Sequence, residues 1–262
     1  IFKKYNLEVP KTWDDLMNTC ATLKKNGVFG VGDWSGQHHQ MLVFAYQTMA
    51  NDGNLADVTA GNVDFTTVNG LKDCAAKLKN LYDNQYWYPG EGALTAAKDQ
   101  VQAAFYQGKI AMLFDAGSNL GTYEKDASFN LGVMKFPLVK EGGKYGVNVV
   151  TNALFVPSNA AHKEEAVQFI KFYTSEAGQE ETLKSGRLPS IKSMQDKMTD
   201  PLMKDLMATT EGDNVVTYTQ LQNLSSKISS FLTNDFVSGV CSGDSVDNVL
   251  KRMEALRQEI KK

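Results

Sequence analysis

The chain has 262 residues and a formal net charge of −3, and 42% of its residues are hydrophobic while 22% are charged. These are ordinary values for a globular protein that buries one large core or two smaller ones. The absence of a basic block argues against nucleic-acid binding, and no apolar run approaches the roughly 20 residues that span a membrane.

The first predicted helix begins with a capping box. Thr12 is the expected N-cap, Asp15 follows three residues later, and apolar residues recur at helical spacing as far as Leu23. A short strand is predicted next, over residues 28–32, and it leads into a polar loop over residues 33–40. A second helix is expected to follow this loop.

The loop after the first strand is a candidate binding site. Trp34 can stack on the apolar face of a sugar, and His38 and Gln40 can bond its hydroxyl groups. The alternative is an ordinary surface loop with the tryptophan turned inward. His38 and His39 do not predict a metal site, because adjacent side chains face apart and no third ligand is evident.

A second candidate site follows the next predicted strand. Helical spacing ends at Gly108, an apolar run occupies residues 110–114, and the small polar residues 115–119 come directly after it. Ligands bind at the carboxyl ends of strands in open α/β sheets, so Asp115 and Ser118 are candidate ligand-binding residues. The same pattern also describes an ordinary buried strand with a polar exit loop.

The second half of the chain alternates predicted strands and helices around a polar crossing segment. Asn148 and Asn152 in this segment are suited to hydrogen bonds within a turn or hinge. Strands are predicted at 130–137 and 154–157, and helices at 163–174, from 175 to about 186, and at 201–207, 221–238 and 246–260. The alternation predicts an α/β fold with a mixed sheet flanked by helices.

The cysteines do not predict a disulfide scaffold or a metal site. Cys20, Cys74 and Cys241 are odd in number and far apart, and we expect them to be buried free thiols. No spacing of cysteine and histidine resembles a zinc site. Neither a metal nor another cofactor is predicted.

Four stretches of the sequence share their order with one known family. They are VPKTWDDL at 9–16, FYQGKIAMLFDAGSN at 105–119, the strand and helix of 152–178, and RLPS at 187–190. Together they resemble the extracellular solute-binding proteins of ABC importers, in particular the carbohydrate-binding group that includes maltose-binding protein. Maltose-binding protein has a tryptophan in the loop where this chain has Ser118 or a neighbour, which shifts the stacking role to Trp34 or Tyr218.

The resemblance implies a two-lobed fold of the periplasmic-binding-protein type. By analogy, residues 1–147 and 195–262 form the second, C-terminal lobe, and residues 148–194 return to the first, N-terminal lobe. Family members are longer, so we expect a partial chain without the start of the first lobe, which is then a partner for this segment. The resemblance also implies an extracellular or periplasmic location, with lipid anchoring to the cell membrane through an N-terminus outside this sequence.

The resemblance further implies a function without catalysis. A soluble carbohydrate, expected to be an oligosaccharide, binds in the interlobe cleft and is delivered to the permease of an ABC transporter. Tyr218 and Gln220 are expected to approach the sugar from the segment before the long helix. In the family the chain crosses from one lobe to the other close to the ligand, so Asn148 and Asn152 at the matching crossing are candidate binding residues, the alternative being hydrogen bonds within the turn or hinge. The alternatives are a glycoside-processing enzyme that uses the strand-end carboxylates Asp33 and Asp115, and a purely structural or interaction module. No nucleophile motif or phosphate loop supports the enzyme.

Overall fold

A computed structural model describes residues 1–35, 39–149, 153–218 and 225–260, with the side chains of 39–44, 46 and 218 outside the description. Its contacts divide the chain into two compact units. Unit 1 comprises Ile1–Asp115, Lys135–Val149 and Asp213–Lys262, and unit 2 comprises Ala116–Met134 and Val150–Gly212. Residues 116–134 and 195–212 thus join the segment that the sequence assigned to the first lobe. The assignment of the lobes themselves stays a prediction.

The described residues form helices and short strands in alternation. The first half contains α1 (Trp13–Lys25), β1 (Phe29–Gly32), α2 (His39–Asp52), α3 (Leu55–Thr59), α4 (Asn69–Asp83), α5 (Lys98–Tyr106), β2 (Ile110–Leu113), α6 (Leu120–Asp126) and β3 (Tyr145–Asn148). The second half contains α7 (Lys163–Tyr173), α8 (Glu176–Lys184), α9 (Lys192–Gln195), α10 (Pro201–Ala208), β4 (Val215–Tyr218), α11 (Ser226–Ser230), α12 (Val237–Cys241) and α13 (Val246–Ile260). A π-helical stretch, Phe231–Phe236, joins α11 to α12. The predicted α/β class is confirmed.

The strands of unit 1 form two parallel pairs among the described residues, where the sequence predicted one mixed sheet. In the first pair Phe29 lies opposite Ile110 and Gly32 lies opposite Leu113. The second pair joins β3 to β4 over their full lengths. Parallel strands need long crossover connections. Helices α2–α5 of the same unit lie between β1 and β2, whereas α7–α10 of unit 2 lie between β3 and β4.

Helix α1 is specified locally and packs closely on β1. Thr12 accepts a hydrogen bond from the Asp15 N–H at 3.2 Å, and the Asp15 carboxylate accepts one from the Thr12 N–H at 3.0 Å, which completes the predicted capping box. A Cβ atom at Gly30 would lie 2.2 Å from the Cys20 Sγ, so only glycine allows this approach of helix and strand. Burial raises the pKa of the Cys20 thiol to about 12.

The core of unit 1 is centred on α4, which packs against α2 and α12. Its apolar face is fully buried through Leu71, Leu78 and Leu81, and the large side chains of Trp87 and Phe236 fill the space around it. The three cysteines are buried thiols that form no disulfide, as predicted. Moving a CH₂ group from water into the core stabilises the folded protein by about 0.8 kcal/mol. The buried face of α4 is therefore a major source of stability.

Two predicted strands are wrong for the described chain. Residues 130–137 contain no strand, and Leu138, the residue directly after them, forms an isolated bridge with Thr12. Residues 154–157 do not form a strand either, and Phe155 is 83% exposed. An apolar run predicts the tendency of a segment to be extended, but a strand forms only where a neighbouring backbone accepts its hydrogen bonds.

A buried ion pair on α13 secures the loop before α4. The Arg257 Nε donates to the Glu254 carboxylate at 2.8 Å, and the Phe65 N–H donates to the same carboxylate at 3.1 Å. Arg257 also donates to the Gly61 carbonyl at 2.9 Å. The hydrogen bond from Arg257 is the main reason why the pKa of Glu254 falls to about 2 from its usual 4.5.

We predict that Glu254→Gln lowers the free energy of unfolding near neutral pH by roughly 1–3 kcal/mol, because it removes the charge that pairs with Arg257. Since the folded pKa lies below the unfolded one, the wild-type advantage is complete above pH 4.5 and is lost as the pH falls towards 2. Urea denaturation of wild type and Glu254→Gln, near pH 7 and near pH 3, measures this difference in the free energy of unfolding. Glu259→Gln, an exposed position on the same helix, is the control. A difference from wild type that is equally large at both pH values would contradict the assignment.

Candidate functional site

The loops after β1 and β2 leave the sheet at the same edge. Gly32 and Leu113 are opposite each other in the parallel pair, and the Phe114 N–H donates to the Gly32 carbonyl at 3.0 Å. Trp34 and Asp115 each follow their strand by two residues. Because parallel strands end together, the backbones of these two candidate residues lie on neighbouring exits from one edge.

The Trp34 ring is packed beneath a lysine. It is 3% exposed, and the Lys98 Nζ lies 5.2 Å from the ring centroid. The Ser35 N–H donates to the Ala96 carbonyl at 2.9 Å, which draws the loop towards the start of α5. The ring face is therefore not accessible to a sugar in this structure, and the stacking role of Trp34 stays a prediction.

Asp33 supports the loop from inside the protein. Its side chain is fully buried and accepts a hydrogen bond from the Trp34 N–H at 2.9 Å. Its carbonyl accepts a longer one, 3.5 Å, from the Trp87 Nε1. Asp115, by contrast, is half-buried. The two carboxylates of the enzyme alternative therefore differ, since only Asp115 is accessible to a ligand.

The second parallel pair brings two further candidates together. Asn148 and Tyr218 are opposite each other at the carboxyl ends of β3 and β4. The Asn148 side chain is half-buried. His38, Asn152 and Gln220 lie outside the described residues, as do the side chains of Gln40 and Tyr218.

Helix α2 is attached to β3 by two amide side chains. Gln47 is fully buried, its Nε2 donates to the Pro137 carbonyl at 2.7 Å, and its Oε1 accepts from the Gly146 N–H at 3.1 Å. Asn51 accepts from the Lys144 N–H at 2.8 Å and donates to the Lys144 carbonyl at 3.0 Å. We call this pair the amide clamp.

The amide clamp determines which end of α2 lies near Asn148. Moving from Asn51 to Gln47, back along the helix, corresponds to moving from Lys144 to Gly146, forward along the strand. Four helical residues advance about 6 Å and two strand residues about 6.6 Å, so the spacings match. A further step of the same size, two residues forward along the strand and four back along the helix, places the Asn148 backbone alongside the first turns of α2. This is the end of the helix that carries Gln40.

The carboxyl ends of both strand pairs therefore lie near the N-terminal end of α2. Only a few residues separate the end of β1 from the start of this helix. The residues at, or within two positions of, these ends include Trp34, Gln40, Asp115, Asn148 and Tyr218. We call the region formed by these ends the strand-end edge.

Ser118 belongs to unit 2. It lies exposed in the 3₁₀ turn Gly117–Asn119, three residues after Asp115 in the chain. A Cβ atom at Gly117 would come within 2.8 Å of the Leu206 side chain, so this turn is packed closely on α10. The turn holds Ser118 in a defined position within unit 2.

Sequence reasoning missed the amide clamp. Gln47 and Asn51 stand four residues apart on an otherwise largely apolar helix, and this spacing of two amides on one helix face is the signal that was present. The partners of these amides lie about a hundred positions away in the chain, and no local pattern identifies them.

A metal site and a membrane-spanning helix are both absent from the described residues. Within the described residues, no three histidine, cysteine, aspartate or glutamate side chains are grouped so that they could hold a metal ion. No helix in the same part of the chain is long and apolar enough to cross a membrane.

A sequence profile of the bacterial extracellular solute-binding protein family matches residues 1–180. The match covers more than half of the chain, and the protein therefore belongs to this family. The resemblance seen in the sequence is confirmed, and extracellular or periplasmic location is the property of the family.

Individual relatives are similar over two thirds of this chain or less. A putative binding protein of Brucella abortus is 29% identical over 179 residues, which cover 66% of this chain and 42% of the relative. The multiple sugar-binding protein of Streptococcus mutans is 25% identical over 185 residues, 66% of this chain and 43% of the relative. A glycerol-3-phosphate-binding periplasmic protein of Shigella flexneri is 28% identical over 144 residues, 52% of this chain and 31% of the relative. The matched part of the chain thus spans less than half the length of each of these relatives.

Solved structures confirm the fold. A chitin oligosaccharide binding protein matches with a TM-score of 0.78 and 24% identity, over 98% of this chain and 66% of its own. RafE, a solute-binding protein in complex with raffinose, matches with a TM-score of 0.74 and 17% identity, over all of this chain and 69% of its own. The fold is that of the two-lobed periplasmic binding proteins, as predicted.

We predict that Asp33 and Asp115 differ in their effect on stability. Asp33→Ala leaves the buried Trp34 N–H without its acceptor and should lower the free energy of unfolding by roughly 1–3 kcal/mol. Asp115→Ala, at a half-buried loop position where water can replace lost contacts, should lower it by less than Asp33→Ala does. Chemical denaturation of both variants compares them. Equal losses would show that Asp115 is also a structural residue.

Proposed function

We propose that the protein binds an oligosaccharide at the strand-end edge and delivers it, chemically unchanged, to the permease of an ABC importer. The observation that carries the proposal is that the half-buried Asp115 and Asn148 lie at, or two residues after, the carboxyl ends of paired parallel strands of unit 1, in a chain that belongs to the solute-binding family. Relatives named for sugars, and for raffinose and chitin oligosaccharides in particular, support a carbohydrate as the ligand.

The chemistry of the edge suits hydroxyl groups. The half-buried carboxylate of Asp115 can accept hydrogen bonds from two neighbouring hydroxyls, and charge-assisted bonds are about twice as strong as neutral ones. Asn148 offers both a donor and an acceptor. A micromolar dissociation constant corresponds to about −8 kcal/mol, which a few such bonds and one stacked aromatic ring can supply.

Binding without catalysis is the better account of the carboxylates. Hydrolysis of a glycoside by the usual route requires two carboxyl groups that both face the scissile bond. The buried Asp33 side chain is engaged with the Trp34 backbone instead. We therefore propose that the protein is not an enzyme.

The remaining parts of the proposal concern the whole protein. We propose an extracellular or periplasmic location with a lipid anchor upstream of this chain, since a binding protein has to stay close to its permease. We also propose that the apolar face of α7 packs against the part of the family architecture that this chain does not contain. Phe169 and Phe172 on α7 are 57% and 54% exposed, and no residue of this helix is buried.

The exposed apolar side chains of α7 resemble a surface that packs against another part of a protein. The rings of Phe169 and Tyr173 stack with their centroids 6.1 Å apart, and the exposed Phe155 belongs to the same unit. Several large apolar side chains exposed together are unusual for a surface that meets only water. Covering them in the whole protein would stabilise it by about 25 cal/mol for each Å² removed from water.

We predict that Phe169→Ala lowers the free energy of unfolding of the full-length protein by about 3–5 kcal/mol, the usual cost of truncating a buried phenylalanine. Lys171→Ala, an exposed charged position on the same helix, is the control. Chemical denaturation measures both. A change within about 0.5 kcal/mol for Phe169→Ala would mean that the ring stays exposed in the whole protein.

We predict that Asp115→Ala weakens oligosaccharide binding by roughly 1–3 kcal/mol, because sugar hydroxyls lose a charged acceptor. Isothermal titration of the full-length protein with raffinose and with chitin oligosaccharides measures the affinity, and chromatography of the mixture detects any cleavage. Asp52→Ala, at the opposite end of α2 from Gln40, is the matched control and should bind normally.

Three results would contradict the proposed function. Binding of glycerol 3-phosphate in place of any sugar would identify a different ligand class. Cleavage of the sugar would support the enzyme. Unchanged affinity in Asp115→Ala, in a protein that binds sugar, would place the site elsewhere.

A further inference from the structure

We propose that Gln47 and Asn51 are positioning residues of the sugar site: they determine where β3 lies along α2 and thereby the position of Asn148. The inference rests on the proposed function, and it assigns a role to two residues that do not touch the ligand. Each amide reaches a different part of the β3 segment, so the two act as a pair.

Gln47 joins two separate passes of the chain. Pro137 follows the point where the chain enters unit 1 at Lys135, and Gly146 precedes the point where it leaves after Val149. The amide is fully buried and bonds both passes through its donor and its acceptor. A buried amide that loses one of these bonds leaves an unsatisfied polar group, which costs about 1–3 kcal/mol. The two passes are therefore held at one distance from α2.

Asn51 acts on the residue before β3 as a neighbouring strand would. It bonds both the N–H and the carbonyl of Lys144, the two groups that a strand offers to one partner. Its Nδ2 also donates to the Gln47 carbonyl at 2.8 Å, which ties the asparagine to its own helix. The entry of β3 is thus aligned with α2 before the strand pairs with β4.

Two glycines make this alignment specific. A Cβ atom at Gly146 would lie 3.0 Å from the Gln47 Cα, and one at Gly143 would lie 2.4 Å from the Asn51 Oδ1. The strand can approach the helix this closely only where these glycines stand. A shift of β3 by one residue would bring a side chain against α2 and break the bonds of both amides.

The alignment of Gly146 also determines which way Asn148 faces, because side chains alternate between the two faces of a strand with a period of two residues. Gly146 and Asn148 point to the same face of β3, the face towards α2, whereas Val147 points away. A shift of one residue would turn Asn148 to the opposite face and would also change its pairing with Tyr218. A loosened clamp should therefore reduce sugar affinity through Asn148, without any contact between the clamp and the sugar.

A double-mutant cycle in the full-length protein tests the proposal, with raffinose and chitin oligosaccharides as the titrated probes. Gln47→Met keeps the size of the side chain and removes both hydrogen bonds, and we expect 5- to 30-fold weaker binding, about 1–2 kcal/mol. In the Asn148→Ala background, the same substitution should change affinity by less than about twofold, because the residue through which it acts is gone.

Gln179→Met is the matched control. Gln179 in unit 2 is also a buried amide that joins two segments, since it donates to the Tyr173 carbonyl at 2.9 Å and accepts from the Ser190 N–H at 2.6 Å. It should lower stability while sugar affinity stays normal. If Gln47→Met does not fold, Asn51→Ala carries the same test at a half-buried position.

Hydrogen exchange of the sugar-free protein separates failure of this inference from failure of the proposed function. We expect faster exchange of the Tyr145–Asn148 amides in Gln47→Met and no change there in Gln179→Met. Wild-type protein that binds neither sugar would contradict the proposed function, and the exchange result alone would then decide whether the clamp positions β3. Unchanged exchange in Gln47→Met, or equal losses of affinity with and without Asn148, would overturn the inference.

Discussion

The buried amide of Gln47 is the interaction on which the architecture of the strand-end edge depends. Its two polar atoms have no water to bond, so they are satisfied only when Pro137 and Gly146 both lie against α2. That condition brings three distant parts of the chain together. A hydrophobic contact in the same place would allow sliding, whereas an amide, with a donor nitrogen and an acceptor oxygen, specifies direction and register.

The elements that could be predicted from the sequence are those with local causes. The capping box of Thr12 and Asp15 and the apolar run of β2 depend on neighbours within a few residues, and both are present in the structure. The strands predicted at 130–137 and 154–157 depend on a partner backbone elsewhere, which a local pattern does not contain.

The features of the candidate site also fall into those with local causes and those that depend on distant parts of the chain. The exits after β1 and β2 could be located because a polar loop after a buried strand is a local signal, and the register of the pair places Asp115 beside the β1 exit. The burial of Trp34 beneath Lys98 depends on α5, which is far away in the sequence, and could not be predicted from the loop itself. Family membership then gives the class of the protein, but the ligand depends on individual side chains at the edge.

The central claim is that a sugar binds at the strand-end edge of unit 1. A crystal structure of the full-length protein with a bound oligosaccharide tests it most directly. The account predicts sugar hydroxyls within hydrogen-bond distance, about 2.6–3.2 Å, of the Asp115 carboxylate and the Asn148 amide. A sugar bound with both side chains more than about 4 Å away would contradict it.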